Sequence, residues 1–209
     1  MNKINSKVIK CLFVDAMGVL YKSADDVDEL LIPFCRKNGS GVEDNEIRDI
    51  YVEFSLGRIS SHEFWKRVGI QEDLDEDYIR GHKLNNGVLE TLASLHEKGF
   101  HLYCLSNDVA EWSALLRKRF LLDRFFGGWI ISGEVGVRKP DPKIYDIAWK
   151  KSGFNADQCL FIDDREKNLR AALEKGMGVL KFGRDNLSEK VENPFVESFG
   201  EIEVFVTNK

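Results

Sequence analysis

The feature that most constrains this chain is an alternation. Short β-rich runs, VIKCLFV (8–14), FHLYCLS (100–106), WIIS (129–132), QCLFI (158–162), GVLKF (178–182) and FVESF (195–199), are spaced by segments with helical periodicity. Strands joined through helices pair in parallel, so the alternation predicts an α/β fold built on a parallel sheet. The helices carry their own punctuation. Asn86 is placed to cap a helix that buries Val88, Leu92 and Leu95 and ends at Gly99, and Asp108 with Glu111 has capping-box spacing. Asp141-Pro142 reads as an N-cap and first-turn pair, with Gly153 as the stop.

The alternation is interrupted once. The first strand ends near Asp15 and the next begins near Phe100, a gap far longer than a crossover of a dozen or more residues. Inside it Ile47, Ile50, Tyr51 and Phe54 share one helical face, and Ser60 with Glu63 can cap a turn carrying Phe64, Trp65 and Val68. The chain therefore reads as a core of residues 1–21 and 84–209, with a small helical cap, residues 22–83, inserted after the first strand.

Charge and cysteine usage narrow the partners. Among 209 residues, 30 Lys and Arg face 35 Asp and Glu, a net charge of −5 without a basic tract, which argues against nucleic acid or an anionic membrane surface. A small molecule is the expected partner, and the protein is expected to be a monomer or homodimer. Cys11, Cys35, Cys104 and Cys159 show no C-x-x-C spacing and read as reduced, structural thiols. The first apolar run is broken by Lys10 and ends at Asp15, so it is neither a signal-peptide core nor a membrane span, and cytoplasmic residence is the expectation.

In parallel α/β sheets ligands bind beyond the carboxyl ends of the strands, so the polar residues there carry the chemistry. These are Asp15; Ser106 and Asn107; Lys139, in the loop after WIIS; and Asp163 with Asp164. Each alone would pass for a turn former, a helix cap or a solvated lysine. Together they suit attack on an anion. A carboxylate can attack phosphorus, but it approaches a group of its own sign and needs compensating charge. Lys139 supplies one unit, and a divalent cation on Asp15 and Asp164 would supply the rest; oxygen ligands favour Mg²⁺ over zinc. Ser106 and Asn107 would donate hydrogen bonds to phosphoryl oxygens.

LFVDAMGVL (12–20), CLSN (104–107), SGEVGVRKPDPKIY (132–145) and FIDDREKNLRAA (161–172) resemble, in order, the four motifs of the haloacid dehalogenase-like (HAD) hydrolase superfamily. The resemblance spans roughly residues 1–21 and 84–185, and GRISSHEFW (57–65) looks like the cap of the subfamily with a small helical cap. It implies a Rossmann-like parallel sheet core, hydrolysis or transfer of a phosphoryl group on a small phosphorylated metabolite, and Mg²⁺ as cofactor. By position Asp15 would be the nucleophile, Ser106 and Asn107 the phosphate binders, and Lys139 the stabilising cation. Asp164 would ligate Mg²⁺ directly, Asp163 through water, and the Met17 main-chain carbonyl would complete the protein ligands. Asn168 falls where the family often has a polar supporting residue.

One position departs. Phosphatases of this family carry a second Asp two residues after the nucleophile, as acid for the leaving alkoxide and base for water; here it is Met17. A thioether cannot shuttle a proton, and losing an acid–base group typically costs about 10²–10⁴-fold in rate. Three readings accommodate the change: an acid lent by the cap, with His62 and His82 as candidates; a dehalogenase, whose halide leaves unprotonated; or a catalytically silent binder of a phosphorylated ligand or partner.

Overall fold

The computed structural model describes residues 8–183 and 193–208. Six strands, β1 (Cys11–Val14), β2 (His101–Ser106), β3 (Phe126–Ile131), β4 (Cys159–Asp163), β5 (Gly178–Phe182) and β6 (Phe195–Val196), form one parallel sheet in the order β3-β2-β1-β4-β5-β6. Successive strand residues point to opposite faces. Leu12 and Val14 accordingly join one apolar cluster with Leu102, Cys104, Leu160 and Ile162, while Cys11 and Phe13 join a second with Leu105, Cys159 and Phe161. All four cysteines are buried free thiols.

Register then places the polar strand ends. Val14 lies level with Cys104 on β2 and Ile162 on β4, so the next residue along, Asp15, emerges beside the ends of both strands. Its amide donates to the Ile162 carbonyl at 2.9 Å. Because β1 leads to β2 on one side and is flanked by β4 on the other, Asp15 sits at the topological switch point, where open α/β sheets bind ligands.

Within residues 22–83 every element is helical: a π-helical turn (Val27–Leu31) running into α1 (Ile32–Lys37), then α2 (Asp44–Phe54), α3 (Ser61–Arg67) and α4 (Asp75–Ile79). Among the described residues the remaining α-helices are α5 (Val88–Glu97), α6 (Ala110–Arg119), α7 (Ser132–Val135), α8 (Pro142–Ser152), α9 (Glu166–Glu174) and α10 (Phe199–Thr207). Asp141 caps α8 by accepting from the Lys143 amide at 2.9 Å, Pro142 opens the helix and Gly153 ends it at φ 74°.

Other local expectations are corrected. Asn86 does not cap α5; Gly87 does so, at φ 78°, while the Asn85 amide donates to the Val19 carbonyl at 2.7 Å and ties the second crossing to the first. Asp108 forms no capping box with Glu111. Val109 is the N-cap of α6, and the Asp108 carboxylate turns inward and accepts from the Val109 amide at 2.7 Å. Strand β3 starts at Phe126, earlier than its apolar run suggests, and β6 stops at Val196 because Ser198 caps α10.

The inserted helices meet the sheet-covering layer across an aromatic seam. Trp112 of α6 is buried among Tyr51, Phe54, Phe64, Trp65 and Tyr78, with ring centroids 4.4–6.3 Å away. A single carboxylate satisfies the polar edge of this cluster: Asp75 accepts from the indole N–H groups of Trp65, at 2.9 Å, and of Trp112, and from the Ser61 hydroxyl. Leaving buried donors unpaired costs about 1–3 kcal/mol each. Asp75→Ala is therefore predicted to lower the unfolding free energy by about 2–4 kcal/mol in urea titrations; a loss well below 1 kcal/mol would show that the seam does not rely on this carboxylate.

Candidate active site

The site is organised around one buried ammonium. Lys139 Nζ lies 2.8 Å from Asp15 Oδ1 and 2.7 Å from Asp163 Oδ2. The lysine is itself held by its backbone: its amide donates to Asn107 Oδ1 at 2.7 Å, and Asn107 Nδ2 donates to its carbonyl at 2.9 Å. Asn107 thus fixes Lys139 and keeps one amide hydrogen for a further acceptor. Asp163 accepts from the Arg165 amide at 2.8 Å and from Asn168 Nδ2, which lies 3.0 Å from each of its oxygens.

Two neighbours of this network are left wanting partners. The Ser106 hydroxyl and Asp164 Oδ1 are buried and make no hydrogen bond among the described residues. Asp15 Oδ1 accepts from Lys139 and from the Ala16 amide at 2.7 Å, whereas Oδ2 receives no hydrogen bond among the described residues. Oxygens of Asp15, Asp163 and Asp164 lie within 4.8 Å of one another. Asp163 is saturated by its donors, so Asp15 and Asp164 hold the oxygens open to a cation. An all-carboxylate set of this kind fits a hard divalent ion such as Mg²⁺.

Gly18 makes that approach possible. It sits at φ 78°, and a Cβ there would come within 2.5 Å of Asp164 Oδ2. The turn it shapes directs the amide of Leu20 onto the Asp15 carbonyl and those of Val19 and Tyr21 onto that of Ala16, leaving the Met17 carbonyl outside this set of bonds.

Electrostatics follow from burial. Burial pushes the Asp15 carboxyl well above the usual carboxylate range, Lys139 opposes that shift, and Asp163 and Asp164 add to it. Burial, with Asp163 adding to it, pushes Asp164 up to about 6. Burial alone would lower the Lys139 ammonium, but Asp15 and Asp163 outweigh it and hold the group above its ordinary value. Asp108, buried one residue beyond Asn107, is pushed up to about 8 by burial, with Asp26 adding to it.

A cavity of about 200 Å³ opens over Asp15. Its sheet side is formed by Asp15, Met17, Ser106 and Lys139; its far side comes from the inserted segment, through Asp26, Arg48 and Tyr51. Arg138 also lines it, bonded to the Ser55 hydroxyl with its guanidinium 5.7 Å from the centre of the Tyr51 ring. The geometry thus brings Asp15, Met17, Ser106, Asn107, Lys139, Asp163 and Asp164 to one place. His62 is instead exposed and paired with Asp73 at 3.1 Å. His82 is buried edge-on against Tyr21 and Tyr78, burial pushes it down to about 4, and neither histidine lines the cavity. Asp26 and Tyr51 were not legible as cavity residues, because no local pattern shows which face of an inserted helix meets a strand end, whereas Arg138 reaches the cavity as the chain neighbour of Lys139.

Comparison with known proteins bears on the family and the fold. The haloacid dehalogenase-like hydrolase family matches residues 9–176. The chain is 28% identical over 151 residues to the chloroplast flavin mononucleotide hydrolase 1 of Arabidopsis thaliana, covering 69% of this chain and 61% of that protein. It is 34% identical over 100 residues to a glyceraldehyde 3-phosphate phosphatase of Methanopyrus kandleri, covering 46% and 42%. It thus spans roughly half the length of these curated relatives. In fold it is similar to a HAD family enzyme of Bacteroides thetaiotaomicron solved as a magnesium complex, with TM-score 0.73, 24% identity, and coverage of 89% of this chain and 98% of that one.

The Lys139 bridge has a measurable consequence. Removing one partner of a buried ion pair typically costs about 3–5 kcal/mol, because charge is left uncompensated. Without the ammonium, the freed carboxyls would bind protons more tightly in the folded state than in the unfolded chain, so stability should fall as pH rises. Lys139→Met is predicted to lose about 3–5 kcal/mol at pH 8 and distinctly less at pH 5, measured by urea unfolding. An equal loss at both pH values would contradict the bridge.

Proposed function

The chain belongs to the haloacid dehalogenase-like hydrolase family, and from that premise we propose that it hydrolyses, or transfers, the phosphoryl group of a small phosphorylated metabolite through a covalent aspartyl phosphate on Asp15. The observation that carries this reading is the imbalance at the strand ends. Of three clustered carboxyl groups, two are bridged by one ammonium and the third, Asp164, keeps a buried oxygen without a partner among the described residues, as does the buried Ser106 hydroxyl beside them. A site like this is completed by a divalent cation and an anionic ligand together.

In this reading the Asp15 carboxylate attacks phosphorus while Lys139 holds it in place and offsets the charge gathering at the site. Ser106 donates to a phosphoryl oxygen, and Asn107 keeps Lys139 in position and offers its remaining amide hydrogen. Mg²⁺ on Asp15, Asp164 and the Met17 carbonyl would supply the positive charge that lets a phosphate dianion approach a carboxylate, while Asp163, its oxygens taken by Lys139, Arg165 and Asn168, would act through its charge and its hold on Lys139. The unpartnered Asp164 oxygen supports that assignment. We assign residues 22–83 the role of cap, since Asp26, Arg48 and Tyr51 wall the cavity and so select the substrate.

Met17 favours a second reading, 2-haloacid dehalogenation, in which the leaving group needs no proton. The three acids weigh against it. Without a cation they repel one another around one lysine, at a cost a metal-free site has no reason to bear.

An activated aryl phosphate, whose leaving group needs little protonation, separates these readings. The wild type is predicted to turn over p-nitrophenyl phosphate with Mg²⁺ and not with EDTA, and Asp15→Asn to lose turnover by at least about 10³-fold while remaining folded. Chloride release from 2-haloacids without phosphate release would replace this reading with dehalogenation; silence in both assays would leave a binding protein.

A further inference from the structure

If Met17 cannot move a proton, another group facing Asp15 must do so for alkyl phosphates to be substrates. The carboxyl and phenol groups lining the cavity besides Asp15 are Asp25, Asp26, Asp28 and Tyr51. Asp28 is exposed and paired with Arg48 at 2.8 Å. Asp25 is exposed, faces Arg165 at 3.9 Å and accepts from the Asp28 amide at 3.3 Å. Tyr51 is buried, and burial holds its phenol well above its ordinary range, which makes it a poor donor at neutral pH.

Asp26 differs from all three. It stands at the N-cap of the π-helical turn, where an aspartate ordinarily accepts from a backbone amide of the first turn. Here its side chain makes no such bond. It is 5% exposed, the Tyr78 hydroxyl donates to it in a long 3.5 Å contact, and it lines the cavity shared with Asp15 and Met17. At about 200 Å³ that cavity is small against the usual range of ligand pockets, so Asp15 and Asp26 wall one confined space.

We infer that Asp26, from the inserted segment, is the catalytic acid and base that replaces the group missing at Met17. This rests on the phosphatase reading above. As an Asp15 carboxylate oxygen bonds to phosphorus, the bond to the leaving oxygen breaks with its electron pair on oxygen, and the Asp26 carboxyl gives that oxygen its proton and releases the alcohol. The Asp26 carboxylate then takes a proton from water as the water oxygen attacks phosphorus. The bond to Asp15 breaks, inorganic phosphate leaves, and both carboxyl groups regain their starting states. The surroundings of Asp26 suit both roles. Burial pushes its carboxyl up to about 6, Asp25 adds to this, and Arg165 and Arg138 oppose it. Tyr51, Tyr78 and Asp108 face it from the neighbouring elements.

The test compares leaving groups. In wild type and Asp26→Asn, kcat/KM is measured with Mg²⁺ on p-nitrophenyl phosphate and on a panel of primary alkyl phosphates; Asp26→Ser runs in parallel, in case a buried amide is not tolerated. Because kcat/KM reports steps only through the first irreversible one, it isolates the acid role. The alkyl values should fall by about 10²-fold or more and the aryl value by far less, which also shows the variant is folded. Equal falls for both substrate classes, no fall in either, or a wild type inert on every alkyl phosphate but active on the aryl ester would each overturn the role of Asp26 and leave the phosphatase reading standing. A wild type inert on both classes would overturn the phosphatase reading, and this one with it.

Discussion

The Lys139 ammonium, 2.8 Å from Asp15 and 2.7 Å from Asp163, is the interaction on which the rest of the site depends. It joins segments from three places in the chain: the end of β1, the loop after α7 and the end of β4. None of the three is stable there alone. A buried carboxylate without a partner protonates or destabilises the fold, and a buried ammonium without one does the same in reverse. The surrounding hydrogen bonds serve this contact. Asn107 grips the Lys139 backbone, Asn168 grips Asp163, and the parallel register of β1 with β4 sets Asp15 beside Asp163 in the first place.

The inserted helices depend on a second, apolar constraint. Trp112 belongs to α6, over the sheet, but five of its aromatic neighbours come from residues 51–78. The same packing turns Asp26, Arg48 and Tyr51 toward Asp15. Seam and cavity are therefore two consequences of one docking. An opening motion that carried these helices away as a rigid body would expose the aromatic cluster and strip the Trp112 indole donor from Asp75, so it would carry a large cost.

Much of this was legible in the chain, for physical reasons. Strands and the order of their polar ends could be read because apolar runs in a parallel sheet are short and bounded, and because an Asp-Pro pair followed eleven residues on by Gly153 leaves little freedom in where α8 begins and ends. Asp15, Ser106, Lys139, Asp163 and Asp164 could be placed together because each ends or follows a strand. What failed was local capping. Asn86 and Asp108 have the right side chains for caps, but Gly87 alone accepts φ 78°, and Asp108 is drawn inward by the packing of α6. The cavity wall was hidden for another reason: Asp26 looks like an ordinary helix cap beside Asp25 and Asp28, and only tertiary packing shows that its carboxyl does not cap.

The proposed chemistry comes down to one covalent bond, between Asp15 and phosphorus, and it can be observed directly. Protein quenched during turnover of a phosphate ester is reduced with sodium borohydride, which converts an aspartyl phosphate to homoserine, and its peptides are then weighed. Homoserine is predicted at position 15 in the wild type, and none when substrate is omitted. Product formation with no reduction, or with reduction at a carboxylate other than Asp15, would contradict the covalent role of Asp15.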